Sequence, residues 1–198
     1  LDTILRSHSK IKVIEEKPFL LNIRHQYFKK NKNNLSSLKH ITQSEVNNIR
    51  EEYYNEIIKL TNKDKKIIID KLPLLITELG FIKCIFPNAK IIFAMRNPCD
   101  VVISCFLSSF KINDAMINFL NWNDTLIFYN KVLDLFEFYE KELELNYFLI
   151  KYEDVINNFN TQIKLLLKYL GLEYENELEN FYLTAKKRSR ISTPSYDQ

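Results

Sequence analysis

The chain has 198 residues, of which 46% are hydrophobic and 27% charged, with a formal net charge of +3. This length and composition predict a single globular domain over residues 1–198 with a sizeable core. Because 28 basic residues are nearly balanced by 25 acidic ones spread along the chain, the charge does not favour a nucleic-acid partner. No run approaches the roughly 20 apolar residues of a membrane span, and no signal peptide is visible.

The cysteines and histidines indicate the redox compartment and whether a metal site is expected. Cys84, Cys99 and Cys105 are odd in number and lie in or beside apolar segments, which predicts reduced thiols in the core and favours a reducing compartment such as the cytoplasm. The histidines have no partners at ligand spacing, so we expect no metal site. The chain begins at Leu1 rather than Met and ends in a polar tail, so we expect it to be cut from a longer protein.

The first third of the chain predicts a helix tail, a short strand and a capped helix. Residues 1–9 read as the end of an amphipathic helix, and residues 11–14 as a strand that ends at Glu15 and Glu16. Adjacent residues alternate sides in an extended segment, so we expect at most one of these two carboxylates to face a given crevice. Residues 19–41 are rich in Asn, Lys and Ser and predict a loop or irregular helical excursion. Thr42 and Glu45 form a capping box that opens a helix with an apolar stripe.

The rest of the chain alternates short apolar strands with helices. Strands are predicted at residues 66–70, 91–95 and 147–151, and the strand at 91–95 has the unbroken apolar run of a buried parallel strand. Helices are predicted at residues 74–86, from Pro98 onward, at 114–144 with a break, at 155–170 with Gly171 as the C-cap, and at 175–187. This order is typical of an α/β protein, with a central parallel sheet flanked by helices in three layers.

Two cations follow neighbouring predicted strands. Ligands of open α/β sheets bind beyond the carboxyl ends of the strands, where helix N-termini favour anions. Arg96 and Ser104 therefore form a candidate clamp for a phosphate, and Lys71 is placed to reach the same crevice. Alternatively, Arg96 pairs with a carboxylate while Ser104 caps or bonds back within its helix. Lys71 would in that case pair with Asp70 or Glu78.

Several segments in order resemble the sulfotransferase family, including the tyrosylprotein sulfotransferases and bacterial relatives that carry tetratricopeptide repeats. Residues 7–16 look like the segment that follows the family's phosphate loop, and residues 70–73 (Asp-Lys-Leu-Pro) look like its Asn/Asp-Lys-x-Pro turn. Further similar segments are the 3′-phosphate-binding strand and helix (86–104), the Tyr-Glu-Asp helix (152–154) with its Tyr-Leu-Gly end (169–171), and the terminal Thr-x-Ser-x-x-Gln segment (193–198).

The resemblance implies a P-loop-type fold and transfer of a sulfuryl group from 3′-phosphoadenosine 5′-phosphosulfate to an acceptor hydroxyl, without a metal. The acceptor could be a peptide tyrosine, a carbohydrate or a small molecule. By resemblance, Glu16 is the general base, Lys71 and Ser195 stabilise the transferring group, and Ser195 also contacts the donor. Arg96 and Ser104 would bind the 3′-phosphate and Tyr152 would help hold the nucleotide. The choice of Glu16 over Glu15 rests on alignment alone.

The sequence also departs from the family pattern. The first strand and the phosphate loop Gly/Pro-x-Arg/Lys-Ser-Gly-Thr-Thr should come just before Leu1, so we expect the chain as printed to bind donor poorly and to be inactive. Ser9 replaces a common Pro, and Ser108 replaces a basic residue of the animal tyrosylprotein enzymes, which weakens the case for a peptide tyrosine. A noncatalytic nucleotide- or partner-binding module is the alternative function. A nucleoside monophosphate kinase relative is disfavoured because the middle of the chain lacks an Arg-rich lid.

Overall fold

The computed structural model describes residues 1–61 and 67–187, where four strands of five residues each alternate with helices. Their order, in the part described, is α1 (Asp2–Arg6), β1 (Ile11–Glu15), α2 (Phe19–Lys30), α3 (Gln43–Ile58), β2 (Ile67–Lys71), α4 (Leu79–Ile85), β3 (Ile91–Met95), α5 (Pro98–Leu107), α6 (Trp122–Leu143), β4 (Tyr147–Lys151), α7 (Tyr152–Asn157), α8 (Phe159–Leu170) and α9 (Phe181–Lys187). Short 3₁₀ helices occupy Leu35–His40, Pro73–Glu78, Met116–Phe119 and Asn176–Asn180.

All described strand pairing is parallel, which confirms the predicted α/β class. β1 pairs with β2 so that Ile11 lies opposite Ile67 and Glu15 opposite Lys71. β3 pairs with β4 in a register that runs from Ile91 opposite Tyr147 to Met95 opposite Lys151. Over the described residues, the strand hydrogen bonds form the parallel pairs β1–β2 and β3–β4.

The chain divides into two compact units. Unit 1 comprises Leu1–Ala89 and Glu175–Ala185 and contains the β1–β2 pair. Unit 2 comprises Lys90–Tyr174 together with Lys186 and Lys187, the last described residues, and it contains the β3–β4 pair. The single domain expected over residues 1–198 stays a prediction.

Helices α2, α3 and α4 enclose an apolar cluster in unit 1. Residues 19–41 were predicted as a loop or irregular excursion, but Phe19–Lys30 is a regular helix of 12 residues. The Asn and Lys content concealed an apolar stripe at helical spacing that packs against the two neighbouring helices. The buried members of this cluster are Leu20, Ile23, Tyr27, Phe28, Val46, Ile49, Phe81 and Ile85.

The start of α3 confirms the predicted capping box. The Glu45 backbone N–H donates to Thr42 Oγ1 over 3.3 Å, and the Thr42 backbone N–H donates to Glu45 Oε2 over 2.9 Å. These reciprocal bonds satisfy two backbone donors at the helix start. They also lower the pKa of the Glu45 carboxyl, chiefly through the Thr42 backbone N–H.

Local sequence signals also set the boundaries of unit 2. β3 and β4 have the predicted bounds, and α5 begins at Pro98 with the Asn97 side chain accepting from the Cys99 backbone N–H over 2.9 Å. β3 is half-buried along most of its length, whereas the sequence predicted a buried strand. Gly171 ends α8 in the left-handed region at φ 78°, as expected of a glycine C-cap.

The cysteines are free thiols, but the prediction that they lie in the core is wrong. Cys84 and Cys99 are exposed, and Cys105 is half-buried. Apolar neighbours along the chain misled this prediction, because a helix alternates core-facing and solvent-facing positions within one apolar segment. Cys84 follows the buried Phe81 by three residues and precedes the buried Ile85, yet its own side chain faces outward.

Candidate functional site

The carboxyl ends of β1 and β2 bring together the three charged groups that the sequence singled out in unit 1. Lys71 Nζ lies 3.0 Å from Glu16 Oε1 and 3.5 Å from Glu15 Oε1. The same two residues are also joined by a backbone hydrogen bond, in which the Glu16 N–H donates to the Lys71 carbonyl oxygen over 2.8 Å. Lys71 and Glu16 keep 31% and 32% of their side chains exposed, so a substrate can approach both groups.

The expectation that at most one of the two carboxylates faces a given crevice is wrong. Glu15 ends β1 in extended geometry, but Glu16 adopts φ 51°, in the left-handed region. The strict alternation of sides holds only while the chain remains extended. The turn at Glu16 therefore directs its carboxylate toward the ammonium that Glu15 already faces, and Lys71 has two acidic partners.

Arg6 adds a second cation on the other side of Glu15. Arg6 Nη2 donates to Glu15 Oε2 over 3.1 Å, and Nη1 donates to the Val13 carbonyl oxygen over 3.0 Å. Arg6 Nε lies 3.3 Å from Asp2 Oδ2 within α1. Sequence reasoning missed Arg6, because its distance from β1 depends on how α1 packs and no motif marks it.

Asp70 and Glu78, the partners considered for Lys71, are engaged elsewhere in unit 1. The Tyr53 hydroxyl donates to Asp70 Oδ2 over 3.0 Å, while Asp70 Oδ1 is buried with no hydrogen-bond partner. Burial raises the pKa of Asp70, and the Tyr53 hydrogen bond opposes that shift only in part. Glu78 pairs with Arg24, and burial raises its pKa against the opposing charge of that arginine.

Unit 2 presents a second group of candidate residues where β3 and β4 end. Arg96 follows β3, and Tyr152 follows β4 as the first residue of α7. The guanidinium carbon of Arg96 lies 5.1 Å from the centroid of the Tyr152 ring. The Asn97 backbone N–H donates to Glu153 Oε1 over 2.9 Å, which ties the turn after β3 to the turn after β4. The backbone N–H groups of Glu153 and Asn97 lower the pKa of the Glu153 carboxyl.

Arg96 and Ser104 both face solvent. Arg96 does pair with a carboxylate, as the alternative interpretation expected, because its Nη2 lies 3.4 Å from Asp100 Oδ2. The pair is exposed, with 49% of the Arg96 side chain and 54% of the Asp100 side chain open to solvent. Exposed pairs of this kind contribute only about 0–1 kcal/mol, so a phosphate could displace the carboxylate. Ser104 is exposed on α5, and it is the Ser108 hydroxyl that bonds back to the Ser104 carbonyl oxygen, over 2.7 Å.

The remaining predicted site residue, Ser195, lies outside the described residues, as does the rest of the segment 193–198. The sequence did not predict that Glu153 contacts Asn97 or that Asp100 contacts Arg96. Glu153 lies in the Tyr-Glu-Asp motif, and Asp100 lies in the first turn of α5.

Within residues 1–61 and 67–187, no three His, Cys, Asp or Glu side chains group as metal ligands do. In the same part of the chain, every helix is too short or too polar to cross a membrane.

Comparison with solved structures defines the class of fold. The sulfotransferase domain from the curacin biosynthetic pathway matches 92% of this chain and 72% of that domain's chain, with a TM-score of 0.60 and 17% sequence identity. This likeness shows an α/β fold of the sulfotransferase type, which is P-loop-like.

Comparison of sequences then gives the family. The model of the sulfotransferase family matches residues 1–176, and the chain belongs to that family. A protein of Aquifex aeolicus (strain VF5), described as uncharacterized, is 32% identical over 74 residues. That match covers 36% of this chain and 10% of the Aquifex protein, so the chain spans only a small part of that relative.

Proposed function

We propose that this chain carries the catalytic residues of a sulfotransferase whose donor is 3′-phosphoadenosine 5′-phosphosulfate and whose acceptor is a hydroxyl. Membership of the family supports the transferase class. The observation that carries the proposal is the contact between Glu16 and Lys71 at the ends of two parallel strands, 3.0 Å apart and open to solvent. The transfer uses a base to accept the acceptor proton and a cation to stabilise developing charge, and this contact offers one of each in accessible positions.

Glu16 is proposed as the general base and Lys71 as the cation for the transferring group. Like phosphoryl transfer, sulfuryl transfer is expected to proceed in line through a loose transition state, so catalysis depends on positioning and charge stabilisation. Glu16 Oε1 would accept the acceptor hydroxyl proton as that oxygen attacks sulfur. The bond between sulfur and the bridging phosphate oxygen would break at the same time and release 3′-phosphoadenosine 5′-phosphate. The Lys71 ammonium would stabilise negative charge on the sulfuryl or bridging oxygens. Ser195 is proposed to assist Lys71 and to contact the donor.

In unit 2, Arg96 and Ser104 are proposed to bind the 3′-phosphate. The guanidinium presents paired donors suited to a phosphate, and the weak Asp100 contact leaves it available. Glu153 supports the same turn by accepting from the Asn97 N–H. Tyr152, whose ring already lies beside Arg96 and is about half exposed, would help hold the nucleotide.

The test is calorimetric titration of 3′-phosphoadenosine 5′-phosphate into the full-length protein, followed by a transfer assay with labelled donor against peptide tyrosine, carbohydrate and small phenol acceptors. Saturable binding together with transfer to one acceptor class would support the proposal. Binding without transfer to any acceptor would support the noncatalytic module instead. A folded protein that does not bind the nucleotide would contradict the transferase and leave only a noncatalytic partner-binding module.

A further inference from the structure

Resting on this proposed function, we propose that Arg6 and Glu15 are positioning residues that hold the Lys71 ammonium beside Glu16. The four side chains form a continuous series of contacts in unit 1. Arg6 Nη2 lies 3.1 Å from Glu15 Oε2, Glu15 Oε1 lies 3.5 Å from Lys71 Nζ, and that nitrogen lies 3.0 Å from Glu16 Oε1. Glu15 thus contacts the two cations through different oxygens.

Arg6 is held in place at three points. Its Nη1 donates to the Val13 carbonyl oxygen on β1, its Nη2 to Glu15, and its Nε lies 3.3 Å from Asp2 Oδ2. The bond to Val13 is to the backbone, so it fixes the guanidinium relative to the strand that carries Glu15. A planar guanidinium that is already held by Val13 and Asp2 loses little further freedom when it binds the Glu15 carboxylate.

The exposure of the four side chains distinguishes the two proposed positioning residues from the two proposed catalytic residues. Arg6 and Glu15 are 22% and 15% exposed, whereas Lys71 and Glu16 are 31% and 32% exposed. Arg6 and Glu15 are thus the more buried pair, and Lys71 and Glu16 are the pair that an acceptor could reach from solvent. This is the arrangement expected when one ion pair supports another that reacts.

Arg6 also determines how Lys71 is shared between the two carboxylates. Glu15 already accepts from Arg6, and its contact to Lys71 is longer than the contact from Glu16, 3.5 Å against 3.0 Å. Without Arg6, Glu15 would lose one of its two cationic contacts and would attract Lys71 more strongly. Lys71 would then move toward Glu15 and away from both Glu16 and the transferring group.

The experiment compares Glu15→Gln and Arg6→Gln with a matched pair of variants, Glu78→Gln and Arg24→Gln. The Arg24–Glu78 ion pair belongs to the same unit and has similar exposure, 34% and 13%, but no ionic contact with Lys71 is seen for it among the described residues. Three quantities are measured in the full-length protein. They are kcat and KM for transfer, affinity for 3′-phosphoadenosine 5′-phosphate, and the rate at which an amine-acylating reagent labels Lys71.

Misplacing a catalytic group by about 1 Å can cost on the order of 100-fold in rate, so we expect Glu15→Gln and Arg6→Gln to lower kcat by about 10- to 100-fold. Nucleotide affinity should not change. The double variant should be little worse than either single variant, because the two residues act through each other. Arg6→Lys should restore part of the activity. Labelling of Lys71 should become faster in Glu15→Gln, and Glu78→Gln and Arg24→Gln should change neither kcat nor labelling.

Equal effects of Glu15→Gln and Glu78→Gln on kcat, or unchanged kcat in Glu15→Gln, would overturn the inference. If Glu15→Gln or Arg6→Gln does not fold, Glu15→Asp and Arg6→Lys keep the charges and should show the same changes at smaller size. Labelling of Lys71 needs no enzymatic activity. A wild-type protein that neither binds nucleotide nor transfers therefore refutes the proposed function, while unaltered labelling in Glu15→Gln refutes the positioning role separately.

Discussion

The ends of the two strand pairs differ in how their charges are satisfied. At the end of β1–β2, Lys71 has carboxylate partners at 3.0 and 3.5 Å, and the supporting Arg6–Glu15 pair is mostly buried. At the end of β3–β4, Arg96 has an exposed carboxylate at 3.4 Å and an aromatic ring. The first group is held by the protein itself, whereas the second leaves donors available to an anion.

This difference fits the two tasks proposed for these groups. A base and a cation that act on a reacting centre must already be in position, because reorganisation during the reaction raises the barrier. A guanidinium that binds a phosphate gains most of its interactions from the ligand and needs only a defined location. Mutations at the two strand ends should therefore affect different measurements.

The largest effect is expected from Glu16→Gln, which keeps the shape of the side chain but removes the base. Turnover should fall by about 100- to 10,000-fold, the usual contribution of a general base. Affinity for 3′-phosphoadenosine 5′-phosphate, measured by calorimetry, should not change, because the proposed phosphate-binding residues lie in unit 2. Full activity in Glu16→Gln together with its loss in Glu15→Gln would show that Glu15 is the base.

Arg96→Ala should affect binding first. A charge-assisted hydrogen bond contributes about 1.5–3 kcal/mol, so the dissociation constant for 3′-phosphoadenosine 5′-phosphate should rise by about 10- to 100-fold. Lys90→Ala is the matched control in unit 2, because Lys90 precedes β3 at its amino end and donates to the Tyr169 carbonyl oxygen. An equal loss of affinity in both variants would argue for nonspecific charge attraction instead of a defined phosphate site.

Tyr53→Phe tests the hydrogen bond from the Tyr53 hydroxyl to Asp70, the residue that precedes Lys71. Asp70 Oδ1 has no partner, and the variant would also deprive Oδ2 of the Tyr53 hydroxyl, so the free energy of unfolding should fall by about 1–3 kcal/mol at pH 7. Chemical denaturation gives this value. Tyr54→Phe is the control, since the Tyr54 ring is 48% exposed. An equal change in both variants would contradict a specific role for the Tyr53 hydroxyl.

The raised pKa of Asp70 also predicts a pH dependence of stability. A carboxyl whose pKa is higher in the folded protein binds its proton more tightly there, so its contribution is present below the unfolded pKa and is lost as pH rises through the folded pKa. Asp70→Asn should remove this part of the pH dependence, measured as unfolding free energy from pH 3 upward. An unchanged pH profile would show that Asp70 is not responsible.

The smallest effect is expected at the end of α8. Gly171 has φ 78°, and a Cβ built there would meet no atom within 4 Å, so the cost of Gly171→Ala is that of the backbone conformation alone. We expect a loss of about 1–2 kcal/mol in unfolding free energy. Gly171→Asn should lose less, because Asn tolerates the left-handed region better. Equal losses would show that the left-handed backbone conformation is not the source of the cost.

Local features of this chain were predictable because short-range chemistry determines them. The bounds of β3 and β4 follow from unbroken apolar runs with turn signals on either side, and the capping box at Thr42 and the Gly171 C-cap depend on residues within one helical turn. The resemblance to sulfotransferases likewise rested on short motifs, and the family match over residues 1–176 confirms the family.

The relations between distant residues required the tertiary structure. That Glu15 and Glu16 both reach Lys71 depends on a left-handed residue at Glu16 and on the register of β1 against β2, neither of which periodicity reveals. Arg6 reaches Glu15 only because α1 packs on β1. The sequence by itself therefore determined most of the elements, though not α2, and which residues carry charge at the strand ends. Packing and strand register decided which of those charges meet, because contacts between elements depend on geometry that no local pattern encodes.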